Sequence, residues 1–297
     1  MRYRSPFVVA LLCSLVPLAA QDDTKPATKK LRLHVIGASV SGGFKDGPMS
    51  GAKELGDSVT LQHVLKQWCG EHGRATTHNP LEMVSMFTDP PRIGGEQIQG
   101  VQKAKADVVV AIDFPFWFAY GPVAGDEGPA RQDKLTEGMA LLAKLQMPVL
   151  IGDLPDMRGA AVRQLRPSWI PSPEVLKELN EQLAAFVKTH KNFHFVPLAE
   201  LVRTMKDQGA VLPLPEGPLQ TAPGALLQGD RLHATRLGMA LLGYTLQEPL
   251  RALFPADHAL HAQQWTFLQF VEATGAENDL EVVREAAKKV PAGAKGG

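Results

Sequence analysis

The chain has 297 residues, 44% of them hydrophobic, which is ample for a sizeable core and too many for a disordered protein. Its 31 Lys and Arg balance 31 Asp and Glu, and no dense basic run occurs, so nucleic acid is not an expected partner. The length suits one large domain or two small ones.

The N-terminus, MRYRSPFVVALLCSLVPLAAQDD, sets Arg2 and Arg4 ahead of an apolar run from Phe7 to Leu18, followed by the small pair Ala19-Ala20. This three-part pattern predicts a signal peptide over 1–20, a mature chain beginning at Gln21, and a periplasmic or secreted protein. The apolar run falls short of the roughly 20 residues a span requires, so no membrane span is expected after cleavage. Cys13 leaves with the leader, and Cys69 then has no partner for an intramolecular disulfide. Residues 21–30, QDDTKPATKK, read as a flexible leader.

Short β-rich runs then alternate with longer amphipathic ones. LRLHVIG predicts a strand, and SVTLQHVLKQWCGEHG a helix with Ser58 as a candidate cap. EMVSMFT reads as a second strand and GEQIQGVQKAKA as a helix. ADVVVAID is a continuous apolar run bounded by charge, the pattern of a strand buried on both faces. A helix over RQDKLTEGMALLAKLQ, a strand in MPVLIGDL, a helix from Pro173 through PEVLKELNEQLAAFVKTHK and a strand in FHFVPL follow. ATRLGMALLGYTLQEPLRALF is a last long helix. The alternation predicts an α/β fold: a three-layer α/β/α sandwich with a central, mostly parallel sheet of about five strands. WTFLQFVEATG and LEVVREAAKKV read as helices appended over 256–290, and 291–297 as a disordered tail.

The first strand runs into Gly37-Ala38-Ser39, and three glycine-loop motifs fail there. Gly37 to Gly42 has phosphate-loop spacing, but Gly43 and Phe44 stand where Lys and Ser or Thr belong. Ser39 replaces the second glycine of a dinucleotide loop, and Ser41 the last glycine of a G-x-S-x-G elbow. What survives is a serine at the carboxyl end of a strand, either a plain turn or a nucleophile. A reactive serine needs a histidine base, itself oriented by a carboxylate. Asp230 and His233 lie three apart in a polar turn ahead of the last long helix. Taken alone, this pair is equally an Asp and a His in a helix-initiation loop.

Together, a G-x-S at the first strand and a D-x-x-H before the last helix resemble the SGNH or GDSL hydrolase family over roughly residues 31–250. The resemblance implies a flavodoxin-like sandwich, in a domain over 31–255, that cleaves ester and related acyl bonds without a metal or cofactor. It assigns Ser39 as nucleophile, His233 as general base and Asp230 as its orienting carboxylate. It further implies an oxyanion hole from the Ser39 N–H, a glycine N–H in PRIGGEQIQG (Gly95, or Gly94, ahead of a helix), and an asparagine side chain. Asp113 stands at the asparagine position. An ionised carboxylate only accepts hydrogen bonds, so Asp113 is either protonated by burial and able to donate, or in another role, or a mark of weak catalysis.

The loop FPFWFAYG after the third strand offers Phe114, Phe116 and Trp117 as walls of a substrate pocket, or as core. Asp153 and Asp156 leave another strand toward the same face, where they suit substrate polar groups or a cation, or else helix capping and turn formation. Asp257, His258 and His261 fall short of a metal set, and no metal is expected. The resulting expectation is an exported esterase or deacetylase acting on a small-molecule or glycan ester. The alternatives are an acyltransferase on the same machinery and a catalytically weak or inactive carbohydrate-binding protein.

Overall fold

A computed structural model of the chain describes residues 29–45 and 59–289. The expected signal peptide, most of the leader, the Ser58 cap and the C-terminal tail lie outside the described residues.

Five strands, β1 (Leu31–Val35), β2 (Gly73–Thr77), β3 (Val108–Ala111), β4 (Val149–Gly152) and β5 (Phe193–Val196), form one sheet in the order β2-β1-β3-β4-β5. Every pairing is parallel. Its central strands are buried on both faces, which is why they read as unbroken apolar runs. Leu33, Val35, Val108, Val110 and Leu150 point to one side, where helices Leu61–Cys69, Arg236–Ala252 and Phe267–Thr274 pack. Ile36, Val109, Ala111, Val149 and Ile151 point to the other, under helices Pro90–Ala104, Glu127–Leu142 and Pro173–Thr189. The result is a three-layer α/β/α sandwich with the flavodoxin-like strand order.

Two expectations are corrected. EMVSMFT is not a strand: Asn79 caps a helix over Pro80–Val84 by accepting from the Leu81 N–H, and a 3-10 turn continues over Ser85–Thr88. Pro80 at the first helical position favours that start over a strand. The true second strand, GRATT, is a half-exposed edge with little apolar content to announce it. The C-terminal helices Phe267–Thr274 and Glu277–Lys288 pack on the sandwich, with Phe267, Phe270 and Val271 buried in the same core as Trp68 and Leu246. Thr60, not Ser58, caps the helix over Leu61–Cys69 by accepting from the His63 N–H. Cys69 is the buried last residue of that helix, and burial pushes its thiol up to about 12, so it packs rather than reacts. An antiparallel hairpin of β6 (Val211–Leu214) and β7 (Gly217–Gln220) adds a second small sheet.

His34 sits inside this packing on β1, only 4% exposed, with Nδ1 2.8 Å from Thr76 Oγ1. Burial first, and the neighbouring His78 second, push its pKa down to about 4. In the unfolded chain the ring takes a proton near its ordinary value of about 6.5. Between those values the unfolded state binds more protons, so stability present above that range is lost as pH falls through it, by up to about 3 kcal/mol. His34→Val should therefore lose less stability than the parent between pH 7 and pH 4.5 in urea titrations. Parallel losses in the two proteins would contradict this.

Candidate active site

Parallel registry places the site. Val35 of β1 pairs with Val110 of β3, and the Ile36 N–H continues the ladder to the Val110 carbonyl at 2.9 Å. The segments after β1 and β3 therefore emerge side by side at the carboxyl edge of the sheet. In this strand order that is the switch point, where ligand crevices form.

After β1 the chain passes through Gly37 at φ 153°, a value that favours glycine. A Cβ there would meet Asp113 Oδ1 at 2.0 Å. Gln97, fully buried on the helix Pro90–Ala104, grips the same residue from behind. Its Oε1 accepts from the Gly37 N–H at 2.7 Å, and its Nε2 donates to the Gly37 carbonyl at 2.9 Å. The turn then closes into a single helical turn over Ser39–Gly42, ended by Gly43 at φ 72°. Ser39 is thus presented from a backbone fixed on two sides.

The segment 226–235 meets it from the far end of the chain. An isolated bridge joins Leu227 to Ala234, and the Gln228 N–H donates to the His233 carbonyl at 2.7 Å. Gln228 Nε2 also donates to the Phe44 carbonyl at 2.9 Å, tying this loop to the residues after Ser39. Asp230 is fully buried; its Oδ1 accepts from the Leu232 and His233 N–H groups at 2.9 and 3.0 Å. Its Oδ2 lies 2.6 Å from His233 Nδ1, and His233 Nε2 lies 2.8 Å from Ser39 Oγ. Phe44 covers the imidazole at a ring separation of 4.1 Å. Burial alone would raise the Asp230 carboxyl, but bonds from the His233 ring and from two backbone N–H groups hold it below the usual carboxylate range. The buried group beside His233 is therefore an anion. With Nδ1–H donated to it, Nε2 is left as the acceptor facing Ser39 Oγ.

Ser39, Asp230 and His233, picked from opposite ends of the sequence, are thus brought into one hydrogen-bonded chain. Gly95 is not part of it: it lies in the second turn of the helix Pro90–Ala104, which begins earlier than expected, behind the Asp89 cap. An N–H at that depth in a helix is taken by the carbonyl four residues back, so it does not face the site. Gly94 is buried against Phe114 and Phe118 on the same helix.

Asp113 stands beside the serine turn, but as an acceptor. Its Oδ2 accepts from the Val40 and Ser41 N–H groups at 3.0 and 3.1 Å, and its Oδ1 lies 2.5 Å from Ser41 Oγ. Both oxygens are engaged by the turn, which replaces the expected contact with an oxyanion. Burial pushes this carboxyl above the usual range, against the bonds from Ser41, Ala38 and Val40 that pull it down.

The aromatic loop divides. Phe114 is fully buried and stacks on Phe118, so it belongs to the core. Phe116 and Trp117 do reach the site, with their rings in edge-on contact at 5.0 Å: Phe116 lines an inner apolar cavity and Trp117 an outer cleft. Asp153 accepts from the Ala199 N–H at 2.6 Å, and Asp156 pairs with Arg158. Asp153 thus holds the start of the helix Leu198–Arg203, and Asp156 a local turn. His258 and His261 are bonded to backbone groups on the far side of the last long helix, and among the described residues no cluster of three His, Cys, Asp or Glu side chains could hold a metal. Nothing in the spacing of Gln97, Gln228 or Trp169, the last a wall of the outer cleft, sets them apart in the sequence from surface polar or core aromatic residues.

No protein-family model matches the sequence, and no curated protein matches it. Solved structures similar to it include one named an acylhydrolase from Bacteroides fragilis, 13% identical, with 76% of this chain covering 91% of that one at a TM-score of 0.46. A gut microbial diltiazem-metabolizing enzyme is 11% identical over 75% of this chain, at a TM-score of 0.43. The chain spans about half of that second protein, 47% of its length.

Proposed function

We propose that the protein is a serine hydrolase of the SGNH kind, acting on esters of small alcohols or glycans. The observation that carries this reading is the buried chain from Asp230 through His233 to Ser39, with separations of 2.6 and 2.8 Å. Such separations let a proton pass in one step from the hydroxyl to the ring. Ser39 Oγ attacks the ester carbonyl as His233 Nε2 takes its proton. The imidazolium so formed is stabilised by the Asp230 carboxylate, and it returns the proton to the departing alcohol. Water then attacks the acyl-Ser39 ester, giving its proton to His233, which passes it to Ser39 Oγ as the acyl–oxygen bond breaks and the acid is released. The Ser39 backbone N–H is the oxyanion donor that the family resemblance implies.

Treatment with a fluorophosphonate probe should label the protein at Ser39, and Ser39→Ala should abolish labelling and ester turnover. Absence of labelling on well-folded protein would favour a binding protein that kept the fold. We also propose export, on the strength of the N-terminal pattern; intact-mass measurement on secreted material should find a chain starting at Gln21.

A further inference from the structure

We propose that Ser39 divides the site into a small acyl pocket and a ring-binding leaving-group cleft, making the protein a deacetylase of ring-bearing alcohols. This rests on the serine-hydrolase reading above and adds the substrate class to it.

Three cavities touch Ser39: a narrow one of about 20 Å³ that is also lined by Phe44 and His233, and two larger ones that share Leu232 as a wall. The inner one encloses about 40 Å³ and is lined by Phe116, Met157, Leu198, Met205, Leu227 and Leu242, all buried. Asp113 is a polar exception in the wall, with both oxygens already held by the serine turn. By comparison, an apolar cavity of about 150 Å³ binds benzene. The inner cavity thus has room for the methyl of an acetyl group and little more. Close-packed core residues behind it, such as Leu242 on the long helix Arg236–Ala252, resist the expansion a longer chain would require.

The outer cleft is larger, about 190 Å³, and aromatic. Trp117 lies between Phe87, at 5.7 Å, and Trp169, edge-on at 6.5 Å, and the Arg166 guanidinium sits 5.1 Å from the Trp169 ring centre. Phe87 is 46% exposed, which leaves a large aromatic surface at the cleft for another ring to cover.

The direction of the reaction follows from the base. His233 lines the outer cleft and not the inner cavity. When the carbonyl carbon–oxygen bond breaks, the proton on His233 Nε2 goes to the departing alkoxide, so the alcohol leaves on the cleft side. The acyl group stays on Ser39 Oγ, directed to the inner cavity, and water releases it as acetate.

The test is a series of 4-nitrophenyl esters on the intact protein, with Ser39→Ala as the blank. We expect kcat/KM to be highest for acetate and to fall at least about 100-fold by octanoate. Leu201 also lines the inner cavity, and Leu201→Ala, which widens it, should raise the octanoate-to-acetate ratio about tenfold. On the other side, Trp169→Ala should lower the preference for an acetylated methyl pyranoside over ethyl acetate by about tenfold. Octanoate turned over as well as acetate, with turnover still dependent on Ser39, would overturn the pocket assignment alone. No Ser39-dependent turnover of any ester, together with no fluorophosphonate labelling, would overturn the hydrolase reading and this proposal with it.

Discussion

Asp230→Asn is expected to lower kcat/KM for an activated acetate ester by about 10⁴-fold while leaving the protein folded. The carboxylate has two separate duties. Oδ1 accepts from the Leu232 and His233 N–H groups, and Oδ2 faces His233 Nδ1 at 2.6 Å. An asparagine keeps a carbonyl oxygen for the first duty, so the loop should hold its shape. Its amide NH₂ then faces Nδ1, which must accept rather than donate. The ring proton is driven to Nε2, the atom 2.8 Å from Ser39 Oγ, and the base is lost. Fluorophosphonate labelling should slow in step with turnover, because both require the serine to be deprotonated. The stability readout carries a sign as well. The Asp230 carboxyl is held below its ordinary range in the folded protein, so its contribution is present above that range and is lost as pH falls through the lowered value. Asp230→Asn should lack that acid-side loss. A variant within tenfold of the parent in kcat/KM would exclude Asp230 from the role assigned to it.

Which parts of this arrangement were legible in the sequence follows from what each residue does physically. Central strands such as Val108–Ala111 are buried on both faces and must be apolar throughout, so they announce themselves. The edge strand Gly73–Thr77 has solvent on one side and carries Arg74, Thr76 and Thr77, a composition shared with loops. The hairpin Val211–Gln220 is interrupted by Pro213, Pro215 and Pro218, which argue against strands in any local reading. At the site, Ser39, Asp230 and His233 could be found because each sits beside a turn whose residue pattern is short and distinctive. Gln97 could not: one glutamine on an amphipathic helix becomes a clamp only when that helix is laid across the carboxyl end of β1. The aromatic run gave the right neighbourhood but not the division of labour, since a helical turn over Phe116–Ala119 puts Phe116 and Trp117 in the walls of two different cavities while Phe114 turns into the core.

Asp113 is where substitution should separate positioning from direct chemistry. Asp113→Ala would strand the Val40 and Ser41 N–H groups and the Ser41 hydroxyl in a site that is 5% exposed, and should cost about 3–5 kcal/mol of stability. Asp113→Asn should behave differently. Its carbonyl oxygen can accept from the two N–H groups, and its NH₂ can donate to Ser41 Oγ, as a neutral carboxylic acid would. Burial raises the carboxyl above the unfolded value, so between those values the folded state holds more protons and stability falls as pH rises. Above that window the folded protein carries the cost of a buried carboxylate, which Asn removes. The stability difference, Asn variant minus parent, should therefore grow in favour of the variant from pH 4 to pH 8. Thermal unfolding across that range measures it, and a flat difference would count against a raised carboxyl. Because both oxygens face the serine turn and not His233, kcat/KM of Asp113→Asn should stay within about tenfold of the parent. A loss of about 10² or more in kcat, with unfolding unchanged, would instead assign Asp113 a direct part at the oxyanion or the substrate.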